Sequence, residues 1–234
     1  MKLITWNCAR GFTGKAHLLF SNSPDIAVVQ ECSKKSVEMF AVDGYAGHWV
    51  GDNPNIGMGV FYGRDWAIRQ LLEPDQASPK WVVPFEVTGP ETFTLIAVWA
   101  CDVKGCRRES YVGQIHRALN EHPNWFKSGP TVVAGDFNSN AVFDKNRRVC
   151  NHSSMVDELK KHGAISAYHE LRKEKHGEEK LPTFHLQKKL DKSFHFDYIF
   201  APESWRERMK IEVGEQSDWL RHSDHCPLTL EVFT

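Results

Sequence analysis

Acids, amides and a histidine stand at the ends of the strongest apolar runs of this sequence. Asn7 ends the first run and Glu31 ends the second. Near the middle of the chain another run stops at Asp136, and Asn138 follows two residues later. Short apolar runs rich in branched residues are typical of buried strands. Because strand ends from distant parts of a chain can meet at one edge of a sheet, these side chains predict a site on a rigid scaffold.

The same chemistry recurs near the C-terminus. Asp197 lies within the apolar run 196–200, and Asp224 and His225 stand just before the run 228–232. The four acids and two amides are hard oxygen ligands of the kind that Mg²⁺ or Mn²⁺ prefers. No set of Cys and His residues has the spacing of a zinc site.

The acid, the amide and the histidine together could hydrolyse a phosphate ester. Asp136 can take a proton from water, and Asn138 can hold that water or a phosphate oxygen. A protonated His225 can neutralise charge on the phosphate. Magnesium at Glu31 would supply a Lewis acid and stabilise the leaving oxygen.

These residues need a framework of alternating strands and helices. Hydrophobic periodicity and capping residues predict helices near 14–21, after Ser33, near 108–121 and near 153–162, with Thr13, Ser33 and Ser153 as caps. Strands are predicted near 1–6, 25–30, 131–135, 196–200, 209–213 and 228–233, with an antiparallel meander over 45–99. Helices inserted among strands in both halves predict an α+β or α/β sandwich of two sheets.

Size and composition favour one domain over residues 1–234. No Gly/Ser-rich or Pro-rich linker, low-complexity stretch or repeat divides the chain. With 41% apolar residues it can bury a large core, and a net charge of −1 gives no global argument for binding nucleic acid or membranes. We expect the cysteines beside the motifs, Cys8, Cys32 and Cys226, to be small buried hydrophobes, whereas Cys101 and Cys106 could close a loop in an oxidising compartment.

The N-terminus reads as a strand and not as a secretion signal. No run approaches the ~18 apolar residues of a membrane span. We therefore expect a cytoplasmic protein, although a secreted form with its signal removed would look the same.

The motif series resembles that of the endonuclease/exonuclease/phosphatase superfamily, which includes the DNase I type, abasic-site endonucleases and several phosphatases. The resemblance runs from residue 4 to residue 232 and rests on the segments 4–7, 28–31, 57–61, 135–139, 196–199 and 223–228. It is most specific in Gly-Asp-Phe-Asn at 135–138 and Ser-Asp-His at 223–225. It implies a DNase I-like four-layer sandwich, two mixed β-sheets face to face with helices on the outer faces.

The resemblance also implies roles for the site residues. Asn7 and Glu31 would bind or orient the metal, with Asp224 as a second carboxylate on the metal side. Asp136 would position or deprotonate the attacking water, and Asn138 would contact the scissile phosphate. Asp197 would pair with His225 and fix its tautomer and charge.

Trp99 departs from the family pattern, which places a His or Tyr at the end of this strand. An indole N–H can donate one hydrogen bond but cannot act as an acid. Trp99 is therefore either a core tryptophan or a surface on which a base or sugar stacks.

Five other polar positions invite both structural and functional interpretations. Asn53 is a turn residue or lies beside the site, and His195 is a site wall or a satisfied interior histidine. Asn151, with Arg147 and Arg148, could line a phosphate groove or form an exposed loop.

The residues thus predict a Mg²⁺- or Mn²⁺-dependent phosphodiester hydrolase, with a nuclease favoured and nucleic acid as its substrate. A phosphatase or phosphodiesterase acting on a small molecule or a lipid headgroup is the first alternative. A binding module with a spent active site is the second. Nothing in the sequence indicates a membrane or an obligate protein partner.

Overall fold

The computed structural model describes residues 1–40, 44–71, 79–103, 109–127, 129–146 and 150–233. Its strands are β1 Lys2–Asn7, β2 Ile26–Cys32, β3 Tyr45–Asn53, β4 Ile56–Gly63, β5 Ala67–Gln70, β6 Val82–Thr88, β7 Phe93–Trp99, β8 Thr131–Asp136, β9 Ala164–Ser166, β10 Phe184–His185, β11 Ser193–Phe194, β12 Asp197–Pro202, β13 Met209–Val213 and β14 Leu228–Val232. Its α-helices are α1 Ala16–Phe20, α2 Lys34–Phe40, α3 Val112–Glu121, α4 His152–Lys161, α5 Ala167–Arg172 and α6 Gln216–Trp219.

Twelve of these strands form two mixed sheets of six. The first has the order β13-β14-β1-β2-β4-β3, and the second has the order β5-β6-β7-β8-β12-β9. Each sheet contains one parallel pair, β1 with β2 and β7 with β8, at its centre. The remaining two strands, β10 and β11, form a small separate hairpin.

The sheets pack face to face over a shared apolar core. Alternate residues of β2, Ile26 and Val28, join Phe85, Leu95 and Val132 of the other sheet in one buried cluster. Side chains on a strand alternate between faces, so the intervening residues of β2 point the other way. This interior cluster fixes how the two sheets lie relative to each other.

Helices cover both outer faces and complete four layers. On the first sheet, Leu19 of α1 and Val37 of α2 pack with Val29. On the second sheet, Ile115 of α3 and Leu159 of α4 join a buried cluster with strand residues. The structure thus confirms the predicted α+β sandwich of two mixed sheets with helices outside.

Local details differ from the predictions at two helix starts. The cap of α4 is Asn151, whose side chain accepts a hydrogen bond from the Ser154 amide, and the predicted cap Ser153 lies inside the helix. Thr13 lies in a short 3₁₀ turn and contacts the Ser36 hydroxyl instead of capping α1. The predicted cap Ser33 does accept a hydrogen bond from the Ser36 amide, at 3.2 Å.

The segment after β8 contains elements that the sequence did not predict. The strand β9 lies just before the charged stretch that begins at 168, and α5 overlaps the start of that stretch; both elements are short. Within the part of the chain that the structure describes, no helix has the length and apolar character needed to cross a membrane.

Candidate active site

The predicted site residues meet where strand ends from both sheets come together. Asn7 ends β1 of the first sheet, and Asp136 ends β8 of the second. Nδ2 of Asn7 donates a hydrogen bond to Oδ2 of Asp136 at 3.0 Å, across the gap between the sheets. Asp197 begins β12 and lies opposite Asp136 in the antiparallel ladder. The packing of the sheets therefore creates the site.

Asp136 is completely buried and is surrounded by amide donors. Its Oδ1 accepts a hydrogen bond from the Asn138 backbone N–H at 2.9 Å, and its Oδ2 accepts one from Asn138 Nδ2 at 3.0 Å. Asn138 adopts φ +46°, a left-handed conformation that is uncommon for a residue with a side chain. Such strain persists only where the surroundings hold it and is frequent at functional sites.

Gly135 makes the close approach of β8 to β7 possible. Its φ is +152°, and a Cβ at this position would lie 1.9 Å from the carbonyl oxygen of Val98. Only glycine fits there. The glycine therefore sets the position of Asp136, the next residue in the strand.

Asp197 and His225 form a buried pair beside Asp136. Nδ1 of His225 lies 2.8 Å from Oδ2 of Asp197. Each of Asp136, Asp197 and His225 has a ligand atom within 4.8 Å of the others. The second oxygen of Asp197, Oδ1, is buried without a hydrogen-bond partner among the described residues.

Burial and mutual interaction shift the protonation of this group. Burial raises the pKa of Asp136 to about 7, with His225 opposing the shift and Asp197 adding to it. Burial disfavours protonation of His225, but the carboxylates of Asp197 and Asp136 outweigh it and raise its pKa to about 10. His225 is therefore an imidazolium at neutral pH, which suits a group that stabilises phosphate charge.

Glu31 lies at a β-bulge next to this group. The pairing of β2 with β4 shifts register between Gln30 and Cys32, and Glu31 has φ +61°. Nδ2 of Asn7 lies 3.3 Å from Oε1 of Glu31, so Asn7 links Glu31 to Asp136. Bulges are common beside active sites, where they redirect a side chain.

Asp224 and Glu31 both lie near enough to Lys15 to influence its charge. Both carboxylates act on Lys15 and favour its charged form, while burial lowers the pKa of that lysine. Nζ of Lys15 donates hydrogen bonds to the carbonyl oxygens of Cys8, at 2.7 Å, and His222, at 2.5 Å. Lys15 therefore ties the loop after β1 to the loop that carries Asp224.

Two hydroxyls to which the sequence assigned no role hold the loops of the site in place. Oγ of Ser223 donates to the Asn7 carbonyl at 2.7 Å and accepts from the His225 amide at 3.0 Å. Oγ1 of Thr183 accepts from the Asp197 amide at 2.9 Å. The Ser-Asp-His motif contains Ser223, but the link of Thr183 to Asp197 depends on chain segments that meet only in the fold.

Trp99 packs into the core between the sheets. It pairs with Asp136 in the parallel ladder, and its ring lies edge-on against Trp81 with centroids 4.7 Å apart. Only 8% of the residue is exposed. This arrangement matches the core interpretation, and little of the ring remains for a base or sugar.

The other predicted substrate contacts have structural partners. Asn151 caps α4, and the buried His195 places Nδ1 2.9 Å from the carbonyl oxygen of Leu181. Asn53 is exposed in the β3–β4 turn, where its Oδ1 accepts from the Asn55 amide at 3.0 Å. Asn53 therefore matches its interpretation as a turn residue. His195 is an interior histidine, but its Nε2 is buried without a hydrogen-bond partner among the described residues. Asn151 is a helix cap and not part of an exposed loop. A contact with substrate stays a prediction for all three. Arg147, Arg148 and the Cys101–Cys106 loop closure lie wholly or partly outside the described residues. Cys8, Cys32 and Cys226 are buried free thiols, as predicted.

A row of phenylalanines next to His225 was not anticipated. The rings of Phe184 and Phe196 stack with centroids 5.1 Å apart, and those of Phe194 and Phe196 with centroids 5.4 Å apart. Phe184 lies 4.8 Å from the His225 ring, centroid to centroid. All three phenylalanines are partly exposed. We call Phe184, Phe194 and Phe196 the phenylalanine wall.

Solved structures with the same architecture span the whole chain. The 3′–5′ exonuclease NExo from Neisseria meningitidis matches with a TM-score of 0.71 and 17% identity over 100% of both chains. An AP endonuclease from Archaeoglobus fulgidus matches with a TM-score of 0.68 and 18% identity over 100% of both chains. Truncated Caenorhabditis elegans TDP2 matches with a TM-score of 0.70 and 14% identity over 100% of this chain and 97% of the other. No protein-family model and no curated protein sequence matches the chain.

The chain has the endonuclease/exonuclease/phosphatase fold. The agreement in fold extends from end to end and confirms the architecture that the motif series implied. In this fold the described site lies at one end of the two sheets, where β1, β8 and β12 bring Asn7, Asp136 and Asp197 together.

Proposed function

We propose that the protein is a divalent-metal-dependent phosphodiester hydrolase that acts on nucleic acid. The observation that carries this proposal is the group of buried Asp136, Asp197 and His225 with the partly exposed Asn138, in which an acid with a raised pKa lies beside an imidazolium. A general base and a cation close together are what hydrolysis of a phosphate ester requires. The solved exonuclease and AP endonuclease with the same fold support the same class of reaction.

Each side chain has a distinct role in this proposal. Asp136 accepts a proton from the attacking water. The backbone and side-chain amides of Asn138 hold the two carboxylate oxygens of Asp136 in a fixed orientation for this step. Asn138 can release its side-chain contact with Asp136 and donate to a phosphate oxygen. His225 neutralises charge on the phosphate, and Asp197 holds the imidazolium in place through the 2.8 Å contact at Nδ1.

The residues around Glu31 fit a hard divalent cation. In this proposal Glu31 and Asp224 supply carboxylates, and the neighbouring Asp197 has a buried oxygen with no partner among the described residues. Asn7 orients Glu31 through its Nδ2, because its Oδ1 already accepts a hydrogen bond from the Ala9 amide at 3.0 Å. This surplus of carboxylate oxygen over cationic side chains is typical of Mg²⁺ or Mn²⁺ sites. A bound ion would supply Lewis-acid stabilisation of phosphate charge.

The phenylalanine wall supports a polynucleotide as the substrate. Aromatic rings beside a catalytic centre can stack on bases or sugars of single-stranded nucleic acid. Phe184 and Phe194 are paired residues of the β10–β11 hairpin, whose loop carries the exposed Lys188, Lys189 and Lys192. The hairpin therefore offers aromatic faces next to the site and positive charge at its tip for phosphates.

Hydrolysis assays with matched substrates test the reaction. Labelled single-stranded DNA, duplex DNA, RNA, a generic phosphodiester and a phosphomonoester are each incubated with Mg²⁺, Mn²⁺ or EDTA. We expect metal-dependent cleavage of a polynucleotide that disappears in Asp136→Asn. Turnover of the small esters alone would support the small-molecule alternative, and no turnover with any metal would support a binding module.

A variant in the phenylalanine wall tests the substrate class. Loss of one stacking ring costs ~1–3 kcal/mol of binding per base, so Phe194→Ala should raise KM for a polynucleotide roughly 5- to 150-fold. Turnover of the generic phosphodiester should be unchanged. Phe233→Ala, which removes another exposed phenylalanine, is the control. Equal effects of Phe194→Ala on both substrates would argue against a role of the wall in binding nucleic acid.

A further inference from the structure

A second group of ionisable side chains lies beneath the turn that carries Asp136 and Asn138. His169, His176 and Glu179 each place a ligand atom within 4.8 Å of the others. His152 lies next to them, with Nε2 2.9 Å from Nδ1 of His176. We call His152, His169, His176 and Glu179 the histidine cluster.

Two imidazoles of the cluster are held with Nε2 turned inward. Nδ1 of His169 contacts the Ser166 hydroxyl at 2.7 Å, and its Nε2 lies 3.0 Å from Oε1 of Glu179. Nδ1 of His152 faces the Ser139 hydroxyl at 3.2 Å. A histidine that binds a metal engages its second ring nitrogen in the same manner, which fixes both tautomer and orientation.

Burial shifts the protonation of two histidines in the cluster, and hydrogen bonds shift that of Glu179. Burial lowers the pKa of His152 to about 4 and that of His176 to about 2, so both rings are neutral near pH 7. Burial acts against ionisation of Glu179, but hydrogen bonds, the largest from His169, lower its pKa to about 2. Neutral imidazoles and an ionised carboxylate are the forms that bind a metal. Over the described ranges, no lysine or arginine forms an ion pair with Glu179.

A cleft gives an ion access to the cluster. It has a volume of about 200 Å³ and is lined by residues that include His169, His176 and Ser166. The rings of His169 and His176 stack with centroids 3.4 Å apart and planes 15° apart. Because an imidazole binds a metal in the plane of its ring, one ring must turn before both can bind the same ion. His176 can turn, since it is only half-buried and borders the cleft.

We propose that the histidine cluster binds one Zn²⁺ ion through Nε2 of His169, a ring nitrogen of His176 and the carboxylate of Glu179. Zn²⁺ accepts mixed imidazole and carboxylate ligands at ~2.0–2.2 Å, whereas Mg²⁺ prefers oxygen ligands in an octahedron. The two metal sites would therefore differ in selectivity. Zinc binding goes beyond the proposed hydrolysis and does not depend on it.

The ion would stabilise the active-site turn through the contact between Glu179 and Asn140. Nδ2 of Asn140 lies 3.1 Å from both carboxylate oxygens of Glu179, and Asn140 follows Asn138 by two residues. An ion at Glu179 and His176 would therefore join the segment 173–181 to the turn that positions Asp136. The ligand positions 169, 176 and 179 follow no paired Cys or His spacing, which explains why the sequence did not indicate a zinc site.

Cobalt substitution tests the proposal. Metal-free protein is titrated with Co²⁺ in excess Mg²⁺ while the visible absorption of tetrahedral Co²⁺ is recorded, and Zn²⁺ displacement is followed by calorimetry. We expect one Co²⁺ per chain, displaced by Zn²⁺ and not by Mg²⁺. His176→Ala and Glu179→Gln should each weaken binding at least ~10-fold. His122→Ala, which removes another half-buried ring stacked on an aromatic neighbour, should not.

The active-site acids are the competing location for the ion. Asp136, Asp197 and His225 are also close enough together to bind a metal. The proposal predicts that Asp197→Asn leaves Co²⁺ binding unchanged. Absence of binding to the parent, binding that survives both His176→Ala and Glu179→Gln, or binding that is lost in Asp197→Asn would each overturn it. Circular dichroism of the variants shows whether they are folded, and if one is not, the other variant decides the result.

Discussion

The active site and the histidine cluster are both buried groups of acids and imidazoles, yet they hold opposite charge states. In the active site His225 faces the carboxylates of Asp136 and Asp197, and its pKa rises to about 10. In the histidine cluster burial outweighs the carboxylates of Asp144 and Glu179 at His152, neighbouring imidazoles add to the effect of burial, and the pKa of His152 falls to about 4. Burial disfavours the imidazolium in both places, so the ratio of carboxylates to imidazoles decides the outcome.

This difference separates two kinds of chemistry within one fold. A buried imidazolium can stabilise a phosphate, whereas a buried neutral imidazole can bind a soft or borderline metal. The two groups are neighbours, since Ser139 contacts His152 of the cluster and lies next to Asn138 of the site. Changing the number of carboxylates should therefore affect one region in a predictable direction and leave the other unchanged.

The largest effect is expected when one carboxylate is removed from the active site. Asp197→Asn leaves His225 with fewer negative neighbours, so its pKa should fall and its orientation should be lost. We expect kcat for polynucleotide cleavage to fall on the order of 10³-fold at pH 8. Asp65→Asn, an exposed substitution, is the control. Rates within a few fold of the parent would show that the Asp197–His225 pair is not part of the mechanism.

The pH dependence of kcat/KM tests the same charge assignment without a mutation. Asp136 must be ionised and His225 protonated, so the rate should rise up to about pH 7 and fall again near pH 10. A bound cation would oppose the effect of burial and lower the pKa of Asp136, which would place the acidic limb at or below pH 7. Between pH 7.5 and 9 the rate should be roughly level. A decline that begins near pH 6.5 would mean that His225 is an ordinary histidine.

The histidine cluster predicts a loss of stability in acid. His152 and His176 have depressed pKa values in the folded protein, so the unfolded chain binds more protons below its own pKa near 6.5. The free energy of unfolding should therefore decrease as the pH falls from 6.5 towards 4, by on the order of 5 kcal/mol.

Denaturant unfolding of the metal-free parent and of His176→Asn at pH 7.5, 6.0 and 5.0 measures this dependence. The variant has one fewer depressed histidine and should show a weaker pH dependence. Identical pH dependence in the two proteins would assign the acid sensitivity to other groups.

The smallest effect is expected at the helix that carries His152. Asn151 caps α4, so Asn151→Ala should lower the free energy of unfolding by about 1 kcal/mol. If capping is the only role of Asn151, the residue does not contact the substrate and the cleavage rate should stay the same. Ser153→Ala is the matched control and should cost less. A large rise in KM in Asn151→Ala would restore the predicted role of this residue in a phosphate groove.

The sequence was most informative where strands end. Asn7, Asp136 and Asp197 could be identified because each interrupts or ends an apolar run, and the two-sheet sandwich follows from the same runs. Such signals are local in the sequence and can be recognised without any knowledge of the fold. They also identified His225, whose partner Asp197 lies 28 residues away in sequence.

Features that arise from the packing of distant segments were not predictable in this way. The charged segment after 168 resembles a solvated surface, yet it contributes Glu179 and Thr183 to buried hydrogen-bond networks. Trp99 occupied a position where the sequence allowed either a substrate surface or a core residue, and only the contact with Trp81 distinguishes them. The role of Asn151 could not be predicted either, because an asparagine that caps a helix and one that lines a phosphate groove look the same in the sequence.

Nuclear magnetic resonance of the imidazole nitrogens is the most direct test of the opposite charge states of the active site and the histidine cluster. All 12 histidines can be observed in long-range ¹H–¹⁵N spectra of ¹⁵N-labelled protein, with His225→Gln and His176→Asn used for assignment. We expect His225 to have the nitrogen chemical shifts of an imidazolium at pH 8, whereas His152 and His176 should have those of neutral rings even at pH 6. A neutral His225 at pH 8 would contradict the proposed mechanism, because the active site would then lack the buried cation that stabilises the phosphate.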